Sequence, residues 1–239
     1  MKTVRIMSVL ASLLYAAACG GDDPTKPVPQ TASVRFVNMT TGMAGSGGFT
    51  TNGQFVTGSA LALGQSAQTC ATVNAGSTSF GFGAANTGGT ALSGNALAVL
   101  NDETISAGGD YIVVAAGPAT SPTLFRLDNS YTGSVGTGAA AVRFISLVPP
   151  ATGTTANYVF YLGDIGATPP RALNLPFGTP SAYSTVASGA NIFSAMRIPG
   201  NVTIDPGSTI TVQPVSANTI ALVPNALGGA GLTRLPRCS

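Results

Sequence analysis

The chain has 239 residues, of which only 8% are charged, and it contains 31 glycines, 16 prolines and no histidine or tryptophan. Because 44% of its residues are hydrophobic, an ordinary disordered acidic or basic chain is excluded. Ten basic residues spread over this length also exclude a phosphate-binding stripe for nucleic acid. The absence of histidine removes the commonest general base and metal ligand.

Residues 1–18 have the pattern of a secretory signal peptide. Lys2 and Arg5 supply positive charge, and the apolar stretch that follows has 13 residues, too few to span a bilayer, which takes ~20. Three alanines then precede Cys19, which resembles the lipobox of bacterial lipoproteins, although Ala16 stands where that motif usually has leucine. The resemblance implies lipidation of Cys19. The alternative is a plain signal peptide cut after Ala18, which leaves Cys19 as a free thiol.

Residues 19–31 are polar and rich in glycine and proline, as expected for a flexible tether. Gly20 directly after the cysteine resembles the outer-membrane rather than the inner-membrane sorting pattern. Several acyl chains anchor a protein stably where one does not. We therefore expect a cell-envelope lipoprotein of the outer membrane that faces the periplasm or the cell surface and contacts the membrane through its N-terminal lipid.

The remainder of the chain is predicted to be two copies of one unit. The units cover residues 32–129 and 140–239, with a Gly/Ser/Thr linker at 130–139, and each is long enough for its own core. Three pairs of segments match at an offset of 108 and one at 113, which indicates loop insertions. The pairs are 32–38 with 140–146, 111–115 with 219–223, 124–127 with 232–235, and 72–76 with 185–189.

Hydrophobic residues alternate with a period of two in several segments, which predicts β-strands. Examples are Val34 to Asn38, Tyr158 to Leu162 and Thr209 to Val215, and turn residues such as 107–110 and 205–207 separate them. No segment after residue 31 shows a helical period. The sequence therefore predicts an all-β protein of two tandem antiparallel immunoglobulin-like β-sandwich domains, with about seven strands each.

The same segments resemble a known family. Residues 157–164 read N-Y-V-F-Y-L-G-D, residues 107–117 read A-G-G-D-Y-I-V-V-A-A-G, and both units open with a strand containing V-R-F. This order is similar to domain of unknown function 4397, which occurs, often in tandem, in secreted and lipid-anchored bacterial proteins. The resemblance covers nearly all of 32–239, but Cys70 stands where the second unit has Tyr183, and Gly/Thr-rich sequence replaces the Asn157–Asp164 strand in the first. The family has no established catalytic residues, so the resemblance implies none here.

Few residues offer chemistry, so we expect no enzyme, no cofactor and no metal site. Most of the acids lie beside turn residues, and nothing pairs two of them as a glycosidase requires. A serine–histidine relay is excluded without histidine. The arginines recur at equivalent positions, which favours a structural role over a ligand-binding row. The acids are Asp102, Glu103, Asp110, Asp128, Asp164 and Asp205, and the arginines are Arg35, Arg143, Arg126 and Arg234.

Cys70 and Cys238 remain after Cys19 is set aside. In an oxidising envelope two leftover thiols commonly pair, and this bond would clamp the first unit to the end of the second. The alternative is two separate buried thiols, since neither cysteine recurs in the other unit.

The predicted function is a non-enzymatic, lipid-anchored display or binding module whose partner is a protein or a glycan. The alternatives are a structural spacer or accessory subunit of an envelope assembly and, remotely, a hydrolase. Four aromatic side chains could contribute to a binding surface, although core packing is the simpler role for them: Tyr131, Tyr158, Tyr161 and Tyr183.

Overall fold

The computed structural model describes residues 30–150, 155–165 and 171–238, so the predicted signal peptide and Cys19 lie outside the described residues. Strands fill most of the described chain, and no described helix is long and apolar enough to cross a membrane. The strands are β1 (Thr31–Thr41), β2 (Gly47–Thr51), β3 (Gln54–Phe55), β4 (Ala71–Asn74), β5 (Gly76–Ala84), β6 (Ala98–Ile105), β7 (Asp110–Pro118), β8 (Thr123–Asp128), β9 (Ala139–Ser146), β10 (Asn157–Leu162), β11 (Ala172–Pro176), β12 (Ser184–Ala187), β13 (Gly189–Ile198), β14 (Val202–Val212), β15 (Ala217–Pro224) and β16 (Ala230–Arg234).

The strands form four sheets, two in each half of the described chain, which confirms the tandem β-sandwich prediction. In the first unit the sheets have the orders β4-β1-β7-β8 and β3-β2-β5-β6; in the second they have the orders β12-β9-β15-β16 and β11-β10-β13-β14. Each unit thus has eight strands rather than seven. We call the sheets containing β1 and β9 the junction sheets and the other two the outer sheets.

One pair of strands in each unit departs from the antiparallel prediction. β1 pairs with β7, and β9 with β15, in parallel. The chain leaves β1, builds the outer sheet and returns to β7, so no tight hairpin forces the two strands to run in opposite directions.

The two units have the same topology, with each strand of the first unit matched by the strand eight places later. Backbone pairing confirms the offset of 108 at β1 and β9 and 113 at β5 and β13, but the match of 111–115 with 219–223 is wrong by one residue. Val34 pairs with Tyr111 and the equivalent Val142 pairs with Asn218, so the offset between these two strands is 107. In a strand a one-residue slip moves every side chain to the opposite face.

Each sandwich has its own aromatic core, built by equivalent residues. In the first unit the Phe36 ring lies 4.8 Å from that of Phe49 and 6.2 Å from that of Phe80. In the second unit Phe144 is 5.1 Å from Phe160 and 5.8 Å from Phe193. Aromatic pairs at these separations contribute roughly 0.5–1.5 kcal/mol beyond the area that they bury.

Two local predictions in the second unit are wrong. The strand predicted from Thr209 to Val215 ends at Val212, because Pro214 lacks an amide hydrogen for the ladder and Val215 adopts a positive φ. The turn predicted at 205–207 is instead a bulge within β14. There the Asp205 carboxylate accepts hydrogen bonds from the Gly207 amide and the Ser208 hydroxyl.

A third apolar cluster lies between the two units. β1 directs alternate side chains to its own core and to this junction, so Val34 and Phe36 belong to the first and Val37 and Met39 to the second. The second unit contributes Ile145, Leu147, Ala221 and Leu235, all buried. The junction sheets are therefore covered on both faces.

Candidate functional site

The acids do not come together as a catalytic pair. Glu103 forms an ion pair with Arg126 at 2.6 Å, and Asp110 forms one with Arg237 at 3.1 Å. Asp128 accepts a hydrogen bond from the Ser130 amide, which is a turn role. No group of three potential metal-ligating residues occurs in the described part of the chain.

Of the remaining three acids, two accept hydrogen bonds within the fold and the third is exposed. Asp205 is buried and also accepts from the Leu232 amide, which ties the outer sheet to the junction sheet. Asp102 accepts from the Ser77 hydroxyl at 3.2 Å and has a φ of 55°. Asp164 is exposed on the segment after β10.

Cys70 and Cys238 form the disulfide that the sequence left open, with their Cα atoms 5.9 Å apart. Cys70 precedes β4 of the first unit, and Cys238 follows β16 of the second. The bond therefore joins the C-terminal segment covalently to the first unit. Arg237 strengthens this attachment through its ion pair with Asp110.

Arg35 and Arg143 each reach across the junction. Arg35 donates to the carbonyl of Arg237 at 3.0 Å and to the carbonyl of Gln68. Arg143 is 7% exposed and donates to Thr219 and to the Asn129 side chain at 3.2 Å. Both guanidinium groups thus have the structural role that their repetition indicates.

The second pair, Arg126 and Arg234, stays within one unit each. Arg126 pairs with Glu103 and lies over the Tyr111 ring, 5.2 Å from its centroid. Arg234 donates weakly to the Asn218 side chain at 3.5 Å. Neither faces a cleft.

Tyr131 and Tyr183, two of the four candidate aromatics, meet at the junction. Their ring centroids are 5.0 Å apart, and the Arg143 guanidinium lies 4.9 Å from the Tyr183 ring. Burial raises the pKa of Tyr183, and the positive charge of Arg143 opposes this shift. Burial also lowers the pKa of Arg143. Tyr131, Tyr183 and Arg143 therefore pack together where the linker meets the second unit.

The other two aromatics are buried in the second unit, and Tyr158 belongs to its core cluster. Tyr158 is 2% exposed and Tyr161 is 7% exposed. The Tyr158 hydroxyl lies 3.3 Å from the Val148 carbonyl, and burial raises its pKa while Arg197 opposes the shift. Neither ring offers an open face for stacking.

The Tyr158 hydroxyl nevertheless borders a large open cleft at one end of the second sandwich. Its volume is about 780 Å³, and Arg197 is its only charged lining residue among those described. Aliphatic and proline residues form much of the remaining lining, with Val148, Ile198 and Ile204 partly buried, and Thr155 and Thr203 add hydroxyl groups. The sequence pattern did not single out Arg197. It lies opposite Tyr158 because β10 and β13 pair in this register.

The corresponding end of the first unit is built from equivalent strand pairs. Gly47 pairs with Ala84 as Tyr158 pairs with Arg197, so these pairs are equivalent. Leu61 exchanges backbone hydrogen bonds with Gly47 at 2.9 and 2.7 Å, and its carbonyl accepts from the Asn38 side chain.

Leu61 has an equivalent in the second unit, since Leu175 pairs with Tyr158 as Leu61 bridges to Gly47, and both leucines are buried. The units differ instead in the connection between β5 and β6, which covers residues 85–97, and the equivalent connection between β13 and β14, which covers only 199–201. Pro199 in this shorter segment lines the cleft. The cleft of the second unit thus lies beside a connection that is much longer in the first.

A smaller cleft of about 520 Å³ lies at the junction, beside the ion pair of Asp110 and Arg237. Asn129 and Tyr131 contribute to its lining. The Nδ2 atom of Asn129 is buried without a described hydrogen-bond partner, so it is not accessible to a ligand in this conformation.

No family model and no curated protein matches this chain. Among solved structures it is similar to CBMbc of family CBM26 from Eubacterium rectale, in complex with maltoheptaose. The identity is 12%, over 86% of this chain and 96% of that chain, with a TM-score of 0.23. The Bacillus anthracis TIE protein is 9% identical over 80% of this chain and 33% of that chain, with a TM-score of 0.20. At these scores neither likeness bears on function.

Proposed function

We propose that the protein is a non-enzymatic, lipid-anchored binding module of the bacterial cell envelope. Two supports for the location come from different parts of the chain. One is the signal-peptide pattern ending at Cys19, and the other is the Cys70–Cys238 disulfide, because such bonds persist in oxidising compartments outside the cytosol. The resemblance to domain of unknown function 4397 agrees with this location.

One observation carries the binding role: the second unit has an open cleft of about 780 Å³ beside Arg197, where the connection from β13 to β14 is much shorter than the connection from β5 to β6 in the first unit. Binding sites commonly lie in loops and clefts held by a rigid scaffold. Here the disulfide and the shared apolar cluster hold the second unit against the first.

The lining of the cleft favours a protein segment over a glycan. Sugar rings stack on exposed aromatic faces, and Tyr158 is buried. Aliphatic and proline walls beside one arginine instead suit an apolar peptide segment that carries a carboxylate. No described carboxylate pairs with Arg197, so the guanidinium is free to make a charge-assisted hydrogen bond.

The anchor is tested by labelling cells with radioactive palmitate. We expect label in the wild-type protein, no label in Cys19→Ser, and accumulation of the unprocessed form in cells treated with globomycin. Unlabelled wild-type protein released into the growth medium would contradict the anchor.

The binding role is tested on peptide arrays whose members have either free or amidated C-termini, with a glycan array in parallel. We expect binding to apolar peptides with free carboxylates, and at least a tenfold loss for Arg197→Glu. Arg171→Glu, which reverses an exposed charge away from the cleft lining, is the matched control. Equal binding by both variants, or binding only to glycans, would overturn the assignment of the cleft.

A further inference from the structure

The junction is built from the same repeat positions on both sides. Each junction sheet turns an apolar face toward the other unit, and the residues that meet there correspond to one another. The corresponding pairs are Val37 with Ile145, Met39 with Leu147, Val114 with Ala221, and Leu127 with Leu235, all buried in one cluster. A face that contacts its own counterpart is the mark of a two-fold, self-complementary interface.

The polar contacts around this cluster are reciprocal as well. Arg35 of the first unit donates to residue 237, which follows the last strand of the second unit. The equivalent Arg143 donates to residue 129, which follows the last strand of the first unit. Positions 237 and 129 are also equivalent, since both lie two residues beyond the matched Leu235 and Leu127. In each unit the arginine of the first junction strand therefore donates a hydrogen bond to the segment that follows the last strand of the other unit.

A third pair of contacts is also reciprocal, although one of the two is a covalent bond and the other is a packing contact. Cys70 in the first unit and Tyr183 in the second occupy equivalent positions before β4 and β12. Cys70 bonds to Cys238 in the segment after the last strand of the second unit, and Tyr183 packs against Tyr131 in the segment after the last strand of the first. A covalent bond on one side of the junction thus corresponds to an aromatic pair on the other.

We propose that the junction face of each unit, the face buried between the two units, is also a docking surface between copies of this chain, and that the partner it fits is the other unit of a second copy. In the monomer the second unit of the same chain covers the junction face of the first unit, and the Cys70–Cys238 bond holds these two units together. Before the disulfide closes, units of two copies can exchange, because residues 129–138 form the only described connection between the strands of the two units. This inference goes beyond the proposed function and depends on neither the lipid nor the cleft.

Exchange is tested with two single-cysteine proteins, both carrying Cys19→Ala. One has Cys238→Ser and keeps Cys70, and the other has Cys70→Ser and keeps Cys238, so that the native bond can form only between copies. A protease site in the linker at 133–137 allows each full chain to be nicked, which removes the advantage of the tether. The two nicked proteins are mixed at micromolar concentration, oxidised slowly and analysed by non-reducing electrophoresis and mass spectrometry.

We expect each nicked protein to elute at the mass of the intact chain, and the mixture to form the Cys70–Cys238 bond between halves of different origin. That bond is expected in at least tenfold excess over the Cys70–Cys70 and Cys238–Cys238 products, whereas random collision gives only a twofold statistical excess. Halves that separate on elution, or products in the statistical ratio, would overturn the proposal.

Two controls keep the result interpretable. Ile145→Glu places a charge in the junction cluster and is expected to separate the halves and abolish the cross-link. Its circular dichroism spectrum reports whether the second unit still folds. Asn191→Glu, on the outer sheet away from the junction, is expected to leave both elution and cross-linking unchanged.

Discussion

Arg143 is a cation buried between the two units, and no described carboxylate lies within ion-pairing distance of it. Its burial is offset by hydrogen bonds to Thr219 and Asn129 and by the face of the Tyr183 ring. A planar guanidinium can make these contacts together, whereas an ammonium is a compact and more strongly hydrated charge.

We therefore expect Arg143→Lys to lower the free energy of unfolding by about 1–3 kcal/mol, the usual cost of leaving buried polar groups unpaired. The measurement is urea denaturation at pH 7. Arg171→Lys, at an exposed position, should change stability by less than about 0.5 kcal/mol. Equal effects of the two changes would show that the buried contacts contribute nothing.

The buried tyrosines give the protein a defined sensitivity to alkali. Burial raises the pKa of both Tyr158 and Tyr183, so the folded state holds these protons at pH values where the unfolded chain, with a pKa near 10, has lost them. The unfolded state then binds fewer protons, and stability falls as pH rises above about 10. We expect the double change Tyr158→Phe and Tyr183→Phe to flatten this fall between pH 9 and 11, as followed by urea titrations at each pH. An unchanged slope would contradict it.

At the scale of strands, the two units place a large aromatic side chain on different strands of the same core region. In the first unit Gly47 leaves room for the Phe82 ring. In the second unit Tyr158 is at the position of Gly47 and supplies the ring, while Ala195 is at the position of Phe82 and pairs with Phe160. A Cβ atom at Gly47 would lie 2.3 Å from the Phe82 ring. A glycine next to a phenylalanine in one unit thus corresponds to a tyrosine next to an alanine in the other.

This predicts strong coupling between the two positions of the first unit. Gly47→Ala alone should cost about 1–3 kcal/mol through overpacking, and much less when Phe82→Ala has already made space. A double-mutant cycle in urea measures the difference. Gly94→Ala, where no atom lies within 4 Å of the new Cβ, should be nearly neutral. Costs that add without coupling would refute the packing argument.

The strand pattern of the sequence predicted the sandwich but not what lies on each face. Alternation in β1 was visible, yet both of its faces are buried, and so Arg35 and Val37 point to the junction rather than to solvent. The signal for this was the unbroken apolar run from Tyr111 to Ala116, since a strand covered on both faces reads as continuous hydrophobic sequence. The repeat in β15 was misaligned by one residue for a related reason, because short runs of alanine, valine and leucine match equally well at two offsets.

The candidate site was only partly predictable. The aromatic residues were identified from their type, but Tyr131 and Tyr183 lie 52 positions apart in sequence and meet only because the junction forms. The open cleft depends on the short connection from β13 to β14 and on Tyr158, which lines it at the position equivalent to Gly47. Periodicity carries no information about either property.

For the whole molecule, the disulfide is expected to dominate the coupling between units. It joins positions 168 residues apart, and the chain-entropy model gives roughly 5 kcal/mol for a loop of this length as an upper figure. We expect Cys70→Ser with Cys238→Ser to lower the melting temperature and to split one calorimetric transition into two, because each sandwich has a core of its own. A single transition at the original temperature would show that the apolar junction alone couples the units.

Both ends of the described chain are held by the first unit, since β1 begins there and Cys238 is bonded there. Tension applied between residue 30 and Cys238 therefore crosses the sulfur–sulfur bond, and residues 71–237 are shielded from extension. Only residues 30–69 can lengthen, by roughly 3.5 Å each. The first of these form the parallel ladder from Ser33 to Thr41. Its hydrogen bonds would be loaded in shear, all at once, which is the geometry that best resists tension along this path.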